Sequence, residues 1–246
     1  MYNYLIKIEY DGTKFVGWQY QKNGISIQEK IEKALKKIFK LKIKIIGAGR
    51  TDKGVHASGQ IANFVLDKKI NNKKIFLNSI NFFLKKSLIS IIDLKQKKID
   101  FHSRFSAKER TYEYLIINRL GALALEHNRA WHVKRNINID ILKKGGKILQ
   151  GKHDFSTFRA STCYAKSPIK KLNLVTIKKK GDKIYLIFKS KSFLQNQVRS
   201  MVGCLNYLAI NKWSLDKFKK VLKSKKRHLC APPAPAHGLY LKKVIY

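Results

Sequence analysis

The stretch richest in chemistry is Gly47-Ala48-Gly49-Arg50-Thr51-Asp52-Lys53-Gly54-Val55-His56. It sets a guanidinium two residues from a carboxylate and loosens the backbone around both with three glycines, residues that accept φ > 0 at no steric cost. Asp52 is therefore the candidate reactive carboxylate. The competing reading is an Asp-x-Gly turn with a solvated, inert side chain, because both residue types are standard in turns. A second cation, Arg199, stands among Val198, Val202 and Leu205 on an apolar helical pattern. An unpaired charge is costly to bury, so Arg199 either points outward or meets a carboxylate from elsewhere. The chain has only 15 acidic residues, and Asp52 is the one on a glycine-supported loop. An arginine partner would lower its pKa and keep it ionised as a nucleophile. Tyr112 has two readings as well: a core aromatic of a strand, or a flat surface on which a base stacks.

These side chains need elements to position them. An apolar run at 43–46 and another at 60–66 predict a strand, a tight loop with Asp52 near its apex, and a second strand. Tyr2 to Tyr10 alternates as a half-buried strand does, and Ser26-Ile27-Gln28-Glu29 is a capping box that starts a helix over 26–39. A helix at 75–84 and a strand at 88–94 complete the order strand, helix, two strands, helix, strand, which is that of a ferredoxin-like α+β unit. A looser repeat follows. It comprises a strand at 111–118, a helix at 137–149 weakened by Gly145-Gly146, and a polar–aromatic loop at 153–160. A hairpin at 172–178 and 184–189, helices at 195–210 and from 214, and a closing strand at 239–245 complete it. The expected fold class is α+β, with two ferredoxin-like halves whose mixed or antiparallel sheets join around a central basic cleft. Residues 1–100 form an N-terminal domain carrying the catalytic loop, and residues 101–246 a C-terminal domain completing the cleft.

Composition narrows the partner. The formal net charge is +38, a surplus that attracts polyanions, nucleic acid foremost. Part of it reflects a general abundance of Lys, Asn and Ile. Cys163, Cys204 and Cys230 are far apart and form no C-x-x-C pair, so neither a zinc ribbon nor a disulfide framework is indicated. There is no signal-peptide core and no apolar run long enough to span a bilayer, so a reduced, cytoplasmic location is expected.

Gly49 to Ala57 closely resembles the active-site signature of the TruA family of tRNA pseudouridine synthases. The resemblance extends to Glu9-Tyr10-Asp11-Gly12-Thr13 with Gly17-Trp18-Gln19 and to Gln28 with Glu32. It continues through Phe101-His102-Ser103-Arg104-Phe105-Ser106-Ala107, Tyr112-x-Tyr114 and Asp154-Phe155-x-x-Phe158-Arg159-Ala160. Val198-Arg199-x-x-Val202-Gly203 and Ala234-Pro235-Ala236-His237-Gly238-Leu239 complete it, in the family's order over nearly the whole chain. The resemblance implies a pseudouridine synthase fold and isomerisation of uridine at positions 38, 39 and 40 of the tRNA anticodon stem-loop. It implies Asp52 as nucleophile, Arg50 holding the target nucleotide out of the stack, Tyr112 stacking on its uracil, and Arg199 pairing with Asp52. It implies no cofactor and no metal, tRNA as partner, a homodimer, and no membrane association. Lys53, His56, Arg104, Phe105, Phe155, Phe158 and Arg159 are either RNA contacts or support for the cleft, and support is the expectation for the phenylalanines, which are buried more often than exposed. Lys53 stands where the family commonly has a small residue, Tyr20 where it often has a basic one. Gln195-Asn196-Gln197 replaces a His- or Met-containing pattern. A non-catalytic RNA-binding protein on the same scaffold, or a synthase with other RNA targets, is the alternative, since a fold does not dictate function.

Overall fold

In the computed structural model, which describes residues 1–246, the opening alternation becomes strand β1 (Tyr2–Tyr10). The hydroxyl of Ser26 accepts from Glu29 N at 3.1 Å and caps α1 (Ile27–Phe39), supplying a partner that the first turn of a helix lacks. Then come β2 (Ile46–Gly47), β3 (His56–Leu66), α2 (Lys73–Leu84) and β4 (Ile89–Lys97). The strands lie in the order β4-β1-β3, with β2 also on β3, and each of these pairs is antiparallel. That is the arrangement of a ferredoxin-like unit. Ile27, Ile31 and Leu35 of α1 and Phe76, Ile80 and Leu84 of α2 are buried. Aromatic rings tie sheet to helices, Tyr4 to Phe64 at 5.8 Å and Phe64 to Phe76 at 6.2 Å.

One expectation needs correction here. The apolar run at 43–46 is not a strand beyond its last residue, although Ile43 and Ile45 are buried. Side chains of α1 take the backbone groups that a neighbouring strand would have used. Glu32 Oε1 accepts from Ile45 N at 3.0 Å, and Gln28 Nε2 donates to Ile45 O at 3.3 Å. The run satisfies its polar groups without a ladder, as any buried backbone must.

The second half comprises β5 (Glu109–Asn118), β6 (Trp131–Val133), α3 (Ile139–Leu149), β7 (Gly151–Asp154), β8 (Ile169–Lys180), β9 (Lys183–Ser190), α4 (Gln197–Ala209), α5 (Leu215–Lys223) and β10 (Leu239–Ile245). The strand order is β5-β9-β8-β7, with β6 parallel to β5. The stretch expected as a loop at 153–160 instead begins as the end of edge strand β7 and continues as a 3-10 turn at Ser156–Phe158. Gly145 and Gly146 do not interrupt α3. They let it approach its neighbours, since a Cβ on Gly145 would stand 2.6 Å from a Leu208 methyl and one on Gly146 2.6 Å from an Ile177 methyl.

Contacts divide the chain into two compact units, Met1–Lys108 with Leu241–Tyr246, and Glu109–Tyr240. The C-terminus is tied into the first by Lys108 N donating to Ile245 O at 2.8 Å and Tyr246 OH donating to Ser103 O at 2.8 Å.

Candidate active site

In the first unit, the loop between β2 and β3 is built from backbone contacts before any side chain is considered. Trp18 N donates to Thr51 O at 3.0 Å, Gly17 and Asp52 form an antiparallel bridge, and Val55 N donates to Asp52 O at 3.1 Å. The Asp11-Gly12-Thr13 turn presses against the loop's far end so closely that a Cβ on Gly12 would fall 2.0 Å from Val55 O. Only glycine fits there.

Buried polar groups lock the loop further. Tyr10 OH and Thr51 Oγ1 share a hydrogen bond of 2.8 Å with both residues buried. His56, 2% exposed, accepts from Gly12 N through Nδ1 at 3.0 Å. A ring nitrogen that accepts an amide proton carries none itself. The Asp11 Oδ1 atom 3.3 Å away is therefore not its ion-pair partner through that nitrogen, and Asp11 instead takes Thr13 N at 2.9 Å. His56 is thus placed as a buttress of the turn. Arg50 and Lys53 are exposed, and Asp52 between them is half-buried.

Arg104 and Phe105 lie in the same unit, in the segment joining β4 to β5, and both are exposed. This departs from the expectation of a supporting role for Phe105, which is 71% exposed.

In the second unit, Tyr112 sits on β5, 8% exposed, with its ring edge-to-face with Phe193 at 5.1 Å. Arg199 is on α4, an otherwise buried helix in which only it and Tyr207 keep exposure. Its Nε donates to Ala234 O at 2.8 Å and its NH1 to Asn196 Oδ1 at 3.3 Å. The acceptor segment is pinned in turn. Ala234 N donates to Arg199 O at 3.0 Å, and Tyr114 OH donates to Pro235 O at 2.7 Å. Burial pushes the Tyr114 phenol well up, against the opposing pull of the Arg199 charge, so it remains a donor. A Cβ on Gly203 would stand 2.1 Å from Pro232 O, so α4 and the proline-rich segment are in backbone contact.

Phe155 and Phe158 are fully buried, with ring centroids 6.1 Å apart, and half-buried Arg159 donates to Cys163 O. All three pack the second unit. Cys204 and Cys230, distant in sequence, meet at 3.4 Å as free thiols. Their mutual hydrogen bond pushes Cys204 up and Cys230 down. No group of three or more His, Cys, Asp or Glu side chains is placed to hold a metal ion.

Residue-type reasoning missed Tyr10, Thr51, Asn196 and the Ala234 carbonyl. Tyr10 carried a signal, a tyrosine ending a strand that enters a glycine-bearing turn. The carbonyl carried none.

A family model described as tRNA pseudouridine synthase matches residues 6–106 and 147–246. Asp52, Arg50 and Arg199 fall within the matched segments, and Tyr112 falls between them. The tRNA pseudouridine synthase A of Pelagibacter ubique (strain HTCC1062) is 55% identical over 246 residues, 100% of each chain. Enzymes of the same name from Rhodopseudomonas palustris (strain BisA53) and Maricaulis maris (strain MCS10) are 44% and 42% identical. Both alignments cover 100% of this chain, and 100% and 98% of those relatives.

Proposed function

The chain belongs to the tRNA pseudouridine synthase family, and on that premise we propose that it isomerises uridine to pseudouridine at positions 38, 39 and 40 of the tRNA anticodon stem-loop, with Asp52 as nucleophile. The observation that carries this reading is the loop itself. Its backbone is fastened before Asp52 by the Trp18–Thr51 hydrogen bond and the buried Tyr10–Thr51 pair, at Asp52 by the Gly17 bridge, and after it by Val55 N donating to Asp52 O. A nucleophile needs such fixed placement, because misplacement by about 1 Å costs roughly 100-fold in rate.

The reaction breaks a C–N glycosidic bond, turns the freed base and rejoins it through carbon. A carboxylate serves it by covalent attack, which splits one hard step into two easier ones, or by helping remove a sugar proton. The target base must leave its stack, at a cost of a few kcal/mol. Exposed Arg50 is the proposed group that holds the nucleotide out, and Tyr112 the ring that meets the uracil. Arg199 is the proposed cation keeping the Asp52 carboxylate ionised. Its two hydrogen bonds, to Ala234 O and Asn196 Oδ1, support a fixed rather than a wandering charge. The surplus of +38 supports backbone binding along the RNA. A cytoplasmic homodimer belongs to the same reading, and no helix is long and apolar enough to cross a membrane.

The test is pseudouridine formation in an unmodified tRNA transcript by wild type, Asp52→Ala and Asp52→Asn, with RNA affinity measured alongside. Wild type is expected to turn over, and both variants to lose about 10⁴-fold or more while binding as before. Turnover surviving in Asp52→Ala would overturn the assignment. A folded wild type that binds tRNA without converting it would favour the binding-protein alternative.

A further inference from the structure

Phe105 is the one exposed large hydrophobic residue of the Phe101–Ser106 segment, at 71%. A single exposed apolar side chain is ordinary; the way this one is held is not. His102 Nδ1 accepts from both Arg104 N and Phe105 N, at 3.2 and 3.3 Å, and the imidazole lies against the Phe105 ring with centroids 4.3 Å apart. Ser106 N donates to His102 O at 2.9 Å, and His102 N to Ser106 Oγ at 3.2 Å. The turn is therefore closed on itself. It is also anchored below: buried Ser103 takes Asn63 Oδ1 through its amide at 2.9 Å and donates its hydroxyl to Ile46 O. Ile46 opens the short strand that runs directly into the loop of Asp52. The Arg104 guanidinium carbon is 5.4 Å from the centre of the same ring, within cation–π range.

We propose that Phe105, backed by His102 and flanked by Arg104, is a stacking platform for an unpaired nucleobase of the tRNA other than the target uridine. It rests on tRNA being the substrate. The chemistry of the surroundings selects the occupant. Beside Phe105 stand Arg104, Ser106 and Lys108, all exposed and polar or cationic, which is not the continuous apolar patch a protein partner would need. A rigid aromatic ring with a guanidinium over it suits a base and its phosphate, and stacking tolerates any base because each has a π-face. Rigidity matters energetically. A ring already fixed by His102 loses little freedom when a base settles on it. Anchoring at Ile46 gives the platform a structural link to the loop of Asp52, so binding energy from a non-reacting base is available to hold the RNA in register.

The experiment uses the full chain and an unmodified tRNA transcript, with Phe105→Ala, Phe105→Leu and Phe105→Trp. Phe105→Ala and Phe105→Leu are expected to weaken tRNA binding by about 5- to 100-fold, with thermal stability unchanged. Phe105→Trp is expected to bind as wild type does, and its added fluorescence, taken as the difference from the three native tryptophans, is expected to be quenched by saturating tRNA. Wild-type affinity in both the Ala and Leu variants would overturn the proposal, as would a Trp signal blind to RNA. So would a change in the sedimentation of the RNA-free protein in place of a change in RNA affinity, which would mark a contact between copies of the chain. The Asp52 reading fails separately, because it is read in turnover with binding kept, whereas this one is read in RNA affinity.

Discussion

The loop of Asp52 and the helix of Arg199 are both pressed against a second stretch of backbone with no room for a methyl group, yet they are aimed by different means. In the first unit a turn meets the loop at Gly12 and Val55, where a Cβ would stand 2.0 Å from a carbonyl oxygen. The holding contacts there fall on the backbone and on the neighbouring hydroxyl of Thr51. In the second unit α4 meets the proline-rich segment at Gly203 and Pro232, where the gap is 2.1 Å. Hydrogen bonds there reach the guanidinium itself, to Ala234 O and Asn196 Oδ1. The loop of Asp52 is fastened through its backbone and the Thr51 hydroxyl, the Arg199 guanidinium by hydrogen bonds of its own. Damage should therefore propagate differently in the two places.

The largest effects should come from the two glycines. Gly12→Ala must push Val55 and the loop outward. It is expected to cost about 1–3 kcal/mol of stability and, because the displaced chain carries Asp52, about 100-fold or more in turnover. Gly203→Ala should cost similar stability. Its turnover should fall by less, since a shift of the segment at 231–236 weakens the Ala234 contact while the Asn196 contact within α4's own start still holds the guanidinium. Urea unfolding together with single-turnover pseudouridine formation separates the two. Equal losses of turnover at equal stability would erase the distinction.

A smaller effect sharpens the first half of the comparison. Tyr10→Phe and Thr51→Val each strand a buried hydroxyl, so each is expected to destabilise by about 1–3 kcal/mol, while the double variant should lose much less than the sum. If the shared hydrogen bond also aims Asp52, the double variant regains stability without regaining full turnover. Recovery of both together would make the pair a packing device only.

How much of this could be read from sequence follows the same division. β1, α1 and the loop at Asp52 are written in short-range patterns: alternation, a Ser-x-x-Glu cap, glycines beside a carboxylate. The apolar run at 43–46 forms no ladder before Ile46 because Gln28 and Glu32 of a distant helix turn claim Ile45's backbone, which no local pattern displays. Short strands β6 and β7 carry too few residues for a period to show. Phe105 was expected to be support because phenylalanine is usually buried; its exposure follows from a turn closed by His102 and Ser106. Arg199 was legible as an anomaly on an apolar helix, but one of its acceptors is a main-chain carbonyl 35 positions away, and a carbonyl belongs to every residue type.

Asn196 gives the finest test of the second half of the comparison. It stands at the start of α4 with φ 61° and makes no capping hydrogen bond, although an asparagine there ordinarily accepts from the first turn. Its Oδ1 instead accepts from Arg199 NH1 at 3.3 Å. Asn196→Gly keeps the left-handed backbone at no steric cost, so stability is expected to change by only about 0.5 kcal/mol while turnover falls a few-fold through a less constrained guanidinium. Asn196→Ala should add about 1–2 kcal/mol of destabilisation, because a Cβ disfavours that conformation. A thermal melt and single-turnover rates on both variants distinguish the side-chain effect from the backbone effect. If Asn196→Gly turns over as wild type does, the Ala234 carbonyl alone aims the cation. Arg199 would then be held by main chain, just as the loop of Asp52 is, and the two regions would follow one rule.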